Sequence, residues 1–320
     1  MTLTKDPAGP EASSSSQLDR LLALGSAVRT VRTAVVHPKD AVSLSGALEA
    51  ARLGLIEPVL VGPVEKISAA AAEAGEGLDG IEIVSVEHSH AAAAEACRLA
   101  RSGAVEAIMK GSLHTDELLE AVIDPDKGLR TDRRMSHVFI LDVPSYPRPL
   151  FISDAAINIT PDLATKRDIV QNAIDCALAL GVAEPLVAVL AAVETVHPKM
   201  PATLDAAALS KMAERGQIVG GLVDGPLAFD NAISPEAAKT KEIVSAVAGR
   251  ADILIAPDIE AGNMMAKQLA YLAGAQSAGL VMGARVPIVL TSRADGRLSR
   301  LASCAAAILV AGHQRSKPVR

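Results

Sequence analysis

Residues 150–191 read LFISDAAINITPDLATKRDIVQNAIDCALALGVAEPLVAVLA. Its two ends, 150–153 and 186–191, are continuous apolar runs, and the helix-length segment 161–180 between them carries apolar residues at 3–4 spacing. A strand covered on both faces has to be apolar without alternation, because neither face meets water. Thr160 is placed to cap the helix, Pro161 suits its first position and Asp162 its positive end. Strand, helix, strand is the pattern of a parallel sheet with helices packed on it.

Runs of the same kind recur at 33–37, 58–62, 81–86, 107–110, 137–143, 218–223, 253–257 and 287–291. Segments 40–53, 91–101, 203–215 and 235–247 repeat the helical spacing. Strands and helices thus alternate along most of the chain, which predicts an α/β fold with helices on both sheet faces. Residues 1–17 stand apart. They are rich in Pro, Ser, Ala and Gly, with serines at 13–16, and predict a disordered tail.

Half of the 320 residues are hydrophobic, enough for a sizeable core, yet the chain holds three Phe, two Tyr and no Trp. Recognition by aromatic stacking is therefore disfavoured, which counts against single-stranded nucleic acid. A net charge of −6 argues against a generally basic nucleic-acid or membrane-surface protein. Cys97, Cys176 and Cys304 lie far apart with no C-x-x-C, the usage of a reducing cytosol. The start lacks an apolar signal region, and no apolar stretch is long enough to span a bilayer. A soluble, cytoplasmic protein is expected.

Neither G-x-G-x-x-G after a strand nor G-x-x-x-x-G-K-[ST] occurs, which disfavours the two commonest nucleotide loops. His88 and His90 are the nearest approach to a metal pair, but no third ligand stands at metal-site spacing, so a surface loop is expected. Chemistry-bearing residues gather instead beyond the ends of apolar runs, where an open α/β sheet binds ligands. Thr291-Ser292-Arg293-Ala294-Asp295 puts a hydroxyl, a guanidinium and a carboxylate together; its plain alternative is a capped turn. Lys110-Gly111-Ser112-Leu113-His114-Thr115 offers donors suited to anions, or an ordinary strand–turn–helix junction. Arg130, Arg133 and Arg134 precede an apolar run, and arginine forks suit phosphate oxygens; a solvated basic loop reads the same.

Within 256–267, a helix opening at Gly262-Asn263 would offer free N–H groups to a phosphate or carbonyl. Asp258 and Glu260 in the same segment are alternatively hard-cation ligands or a solvated acidic turn. Asp224-Gly225-Pro226 reads as a turn, although Asp224 and Asp230 would face a cleft if the strand ends there.

Taken in order, K-G-x-x-x-T (110–115), R-x-x-S-H-V-F (133–139), S-D-A-A-I-N-x-x-P (153–161), D-G-P-L-x-x-D (224–230), A-P-D-I-E-A-G-N (256–263) and L-T-S-R-A-D (290–295) resemble the phosphate acetyltransferase/phosphate butyryltransferase family. The resemblance runs from about residue 18 to the end. It implies a two-domain, parallel-sheet αβα architecture like that of isocitrate and isopropylmalate dehydrogenases. Residues 18–150 plus 294–320 would form the first domain and 151–293 the second, with the active-site cleft between them. The implied reaction is acyl-CoA plus phosphate giving acyl phosphate plus CoA, reversibly, with no metal or cofactor beyond CoA as substrate. A homodimer is implied too.

The resemblance carries catalytic roles to Ser292, Arg293 and Asp295, and substrate binding to Lys110, Thr115, Arg130, Arg133, Arg134, Asp224, Gly262 and Asn263. In one respect the chain departs from the acetyl branch. That branch has a carboxylate several residues into the helix after Ser-Arg, where this chain reads Gly296-Arg297-Leu298-Ser299-Arg300. Asp295 comes earlier, in the wording of the butyryl branch, and the E-A-G-N segment leans the same way.

Such chemistry suits these side chains. Arginine holds phosphate near the thioester carbon, a Ser hydroxyl or backbone N–H stabilises charge on the carbonyl oxygen, and a carboxylate takes the thiol proton in reverse. Two other readings stay open on the sequence. One is a metal-dependent NAD(P) hydroxyacid dehydrogenase using Asp258 and Glu260. The other is a non-catalytic acyl-CoA- or acyl-phosphate-binding regulatory protein.

Overall fold

A computed structural model describes residues 16–290 and 295–316. Helix α1 (Gln17–Ser26) begins at a capping box: the Ser16 hydroxyl accepts the Asp19 N–H, and the Asp19 carboxylate accepts the Ser16 N–H. Ser16 and Gln17, expected in the tail, therefore belong to this helix start; residues 1–15 lie outside the described residues.

Four strand–helix units follow: β1 (Val31–Val36) and α2 (Ala41–Arg52), β2 (Ile56–Gly62) and α3 (Val64–Ala74), β3 (Glu82–Ser85) and α4 (Ser89–Arg101), β4 (Ala107–Lys110) and α5 (Thr115–Ile123). Next come β5 (Ser136–Asp142), β6 (Leu150–Ser153), α6 (Leu163–Ala179), β7 (Leu186–Leu190), α7 (Pro201–Glu214) and β8 (Leu222–Leu227). The chain continues through α8 (Phe229–Ile233), α9 (Pro235–Thr240), β9 (Ile253–Ile255), α10 (Ile259–Leu272), β10 (Gln276–Met282), β11 (Ile288–Val289) and α11 (Arg297–Ser316).

The described strands join one sheet in the order β3-β2-β1-β4-β11-β10-β5-β6-β9-β7-β8. Helix crossovers make most pairings parallel, but β5–β6, β5–β10 and β10–β11 are antiparallel. These three pairings are the exceptions to the expected parallel pattern. The connections β5–β6 and β10–β11 contain no helix, and a short connection returns the chain beside itself in the opposite sense. The sheet runs without a break through both expected domains. β10 and β11, from the segment expected in the second, pair with β5 and β4 from the first.

Three apolar clusters fill the space between sheet and helices, with Leu44, Leu60 and Phe151 fully buried. Alanines on α4 and α11 let these helices sit close to the sheet. The three cysteines are buried and free, and burial pushes each thiol up to about 12, so none is a ready nucleophile.

Three expectations shift. The strand expected at 218–223 runs instead over Leu222–Leu227. The helix expected over 235–247 stops at Thr240, because Glu242 turns to a left-handed φ of 55° that a helix cannot continue through. β10 was not expected at all: 269–284 reads as one apolar stretch, and Gly274 (φ 67°) divides helix from strand.

Candidate active site

A cavity of about 1090 Å³ opens beside the carboxyl end of β4. Its floor is one face of β5, on which the two-residue period brings His137, Phe139 and Leu141 into line. One wall is α10, with Asn263, Ala266 and Lys267 facing in. The β4–α5 junction supplies Lys110 and Thr115, and the chain entering α11 supplies Asp295 through Ser299. Part of the lining is thus polar, with Lys110, Asn263 and Asp295. Phe139, Leu141, Ala270 and Ala275 make an apolar lining.

Lys110, a largely buried residue, ends β4, and its ammonium donates to the Gly111 carbonyl at 3.4 Å. Thr115 opens α5, whose cap residue His114 makes no side-chain capping bond. Asp295 lies two residues before α11, and its backbone carbonyl accepts from Arg300 Nη1 at 2.5 Å.

The expected helix opening at Gly262-Asn263 is corrected. α10 begins at Ile259, capped by Asp258, whose carboxylate accepts the Ala261 N–H at 2.9 Å. The Gly262 N–H is already given to the Asp258 carbonyl. Gly262 matters through what it lacks: a Cβ there would stand 2.4 Å from the Asp154 carbonyl oxygen, so only glycine lets α10 lie on the loop after β6. Asn263 ties the same contact, donating from Nδ2 to the Ala155 carbonyl at 3.0 Å.

Four expected residues, Lys110, Thr115, Asn263 and Asp295, thus line one cavity. Ser292 and Arg293 lie outside the described residues, while Leu290 before them and Asp295 after them both line the cavity. The three arginines line a different, smaller cavity of about 380 Å³ with Asp162, Thr165 and Asp168 from the start of α6. There Arg133 is engaged by Asp175 at 2.5 Å, and the Arg134 backbone N–H donates to Asp168. Arg130 makes no ion pair among the described residues. Asp224 sits on β8 at the sheet edge, accepts its own neighbour's Gly225 N–H, and does not line the large cavity.

Two residues were missed. Asp154 is buried and accepts the backbone N–H groups of His137, Ala156, Ile157 and Asn158 and the Asn158 side-chain amide. An Asp followed by small residues and Asn was the available signal, since such a loop can fold back on a carboxylate. His137, 3% exposed on the cavity floor, was hidden in an apolar strand. Burial pushes its pKa down to about 4, against the raising effect of Asp154. His88, expected in a surface loop, caps α4 by accepting the Ala91 N–H. Among the described residues no group of three or more His, Cys, Asp or Glu side chains could hold a metal ion.

Comparison with known proteins gives consistent matches. A family model described as "Phosphate acetyl/butaryl transferase" matches residues 89–308. A phosphate acetyltransferase of Rhizobium meliloti is 60% identical over 304 residues, covering 95% of this chain and 96% of that protein. A phosphate butyryltransferase of Clostridium acetobutylicum is 42% identical over 283 residues, 88% of this chain and 94% of that one. Among solved structures, a branched-chain phosphotransacylase from Enterococcus faecalis V583 aligns with a TM-score of 0.75 at 28% identity, covering 88% of this chain and 99% of that one. A 4-hydroxythreonine-4-phosphate dehydrogenase from Klebsiella pneumoniae aligns with a TM-score of 0.55 at 15% identity, covering 88% and 99%. This last likeness is one of fold, and agrees with the expected dehydrogenase-like αβα architecture.

Proposed function

The chain belongs to the phosphate acetyl/butyryl transferase family, an acyltransferase family, and from that premise we propose that it moves an acetyl group reversibly between CoA and inorganic phosphate. The observation that carries the reading is the large cavity, where four side chains from three separate motifs, Lys110, Thr115, Asn263 and Asp295, meet. Acetyl is preferred to butyryl because the phosphate acetyltransferase is 60% identical and the phosphate butyryltransferase 42%. The butyryl wording around Asp295 is therefore outweighed by the rest of the chain.

In this reading the thioester lies in the cavity, and Lys110 and Arg293 draw phosphate to it by charge. Arg130, Arg134 or both serve anionic groups of CoA or phosphate in the smaller cavity. Ser292 donates to the carbonyl oxygen, and Asp295 takes the thiol proton when CoA is acylated. Direct displacement in a ternary complex draws its rate mainly from positioning. The two-domain division and the cleft between the domains remain part of the proposal, as do action in the cytoplasm and assembly as a homodimer. No helix among the described residues is long and apolar enough to cross a membrane.

The test is CoA release from acetyl-, propionyl- and butyryl-CoA with phosphate, with and without EDTA. The proposal expects metal-independent release with kcat/KM highest for acetyl-CoA. Highest kcat/KM for butyryl-CoA would move the assignment to the other branch. Tight CoA binding without turnover would leave a binding protein on the same scaffold.

A further inference from the structure

His137 sits on the floor of the large cavity, yet among the described residues neither ring nitrogen has a hydrogen-bond partner. It is 3% exposed, and its Nδ1 is sealed from solvent without a partner. The fold holds this residue from several sides. Its N–H donates to Asp154 Oδ1 at 3.2 Å and its carbonyl accepts from Ser153 Oγ at 2.8 Å. Its ring meets Phe139 edge to face, with centroids 4.4 Å apart. Across the sheet, Gly279 of β10 leaves room for it: a Cβ there would stand 2.8 Å from His137 Nε2. Main chain, neighbouring ring and an absent side chain thus combine to seat an imidazole against the cavity.

A neutral imidazole has one N–H and one lone pair. Sealed Nδ1 has no acceptor for a proton, so the proton is better kept on Nε2. We propose that His137 is a further catalytic residue, whose neutral imidazole donates from Nε2 to the thioester carbonyl oxygen of bound acyl-CoA. This rests on the acyltransferase reading above. Burial supports it by holding the ring's pKa near 4, so that the ring is uncharged at neutral pH. The neighbouring residues on the same strand face agree, because Phe139 and Leu141 continue the floor with apolar surface suited to an acyl chain.

In the step itself a phosphate oxygen attacks the thioester carbon. The C–O bond forms as the carbonyl π pair moves to oxygen. When that pair returns, the C–S bond breaks and CoA leaves as thiolate, which takes its proton from the Asp295 carboxyl, the reverse of the step assigned to that residue above. His137 transfers no proton; it hydrogen-bonds the oxygen while that atom is negative. A donor built into a strand is already in place and needs no reorganisation as charge develops.

The experiment is steady-state kinetics of His137→Gln, His137→Asn and His137→Phe with acetyl-CoA and phosphate, with melting temperatures measured alongside. A Gln amide reaches the Nε2 position and an Asn amide does not. His137→Gln should therefore keep kcat within about tenfold, while Asn and Phe lose ~10²–10³-fold, the scale of one lost oxyanion donor, with KM for phosphate unchanged. Near wild-type kcat in His137→Phe overturns the proposal. If the Phe variant does not fold, equal rates for Gln and Asn overturn it. In the CoA-acylating direction, from acetyl phosphate and CoA, a loss in all three that recovers as pH rises towards about 8.5 would make the ring a thiol base and also overturn it. Absence of turnover in the wild-type chain removes the acyltransferase reading and this proposal together. An active wild type with an unaffected Phe variant removes this proposal alone.

Discussion

Asp295 faces the cavity two residues before α11 begins, in place of a carboxylate further along that helix. Replacement by Asn separates its two possible uses. As the thiol base it would be needed most at neutral pH, where little thiolate forms unaided. Asp295→Asn should then slow the acylation of CoA at pH 7, with the deficit shrinking as pH nears about 8.5. A residue that merely capped a turn would leave kcat alone and lower stability by at most ~2 kcal/mol. Ser292 is tested in the same assay. Ser292→Ala should lower kcat by ~10²–10³-fold while CoA binding persists, and an unaltered kcat would remove it from the mechanism. Arg293→Ala should instead raise KM for phosphate, since a charge-assisted contact is lost.

Helix α10 shows how an element can carry a cavity-lining residue for reasons remote from chemistry. Asp258 caps it, Gly262 lets it approach the loop after β6, and Asn263 bonds that loop while lining the cavity. Asp258 was also a possible hard-cation ligand, and the two roles predict different variants. As a cap, Asp258→Ala should cost about 0.5–2 kcal/mol, read as a lower melting temperature, and keep kcat. As a metal ligand it would lose activity that added divalent cation restores in the wild type treated with EDTA. β5 makes the complementary point: its alternation sets His137, Phe139 and Leu141 on one face, and β10 beside it decides what that face can hold.

For the whole molecule, the sheet joins both halves of the chain, and α11 returns to pack on α1, α2 and β10. Some apolar surface stays uncovered, notably Tyr271 (82% exposed) and Leu272 (85%) at the end of α10. A second copy of the chain would bury surface of this kind. Light scattering should find a homodimer at micromolar concentration, and a stable monomer there would count directly against the proposed assembly.

Continuous apolar runs made most of the strands legible, because a strand buried on both faces leaves that mark whatever its neighbours are. Pro235 opens α9 where the sequence marks it, for an equally local reason, whereas α6 begins at Leu163 under an Asp162 cap and not under Thr160. Lys110, Thr115, Asn263 and Asp295 could be picked out because ligands gather beyond strand ends, and a motif order recurring along the chain carried the family. The strand order, the antiparallel pairings and β10 itself had no local signature. They depend on which distant segment fills each place in the sheet. The same holds for the site's boundaries. Only packing separates Arg130, Arg133 and Arg134 from the large cavity, leaves Asp224 at the sheet edge, and places a histidine from inside an apolar strand on the lining of that cavity. Residue type and spacing determine what a segment can form and offer. Which groups face one another is settled when the helices close over the sheet, because that contact depends on side chains more than a hundred residues apart, as between His137 and Gly279.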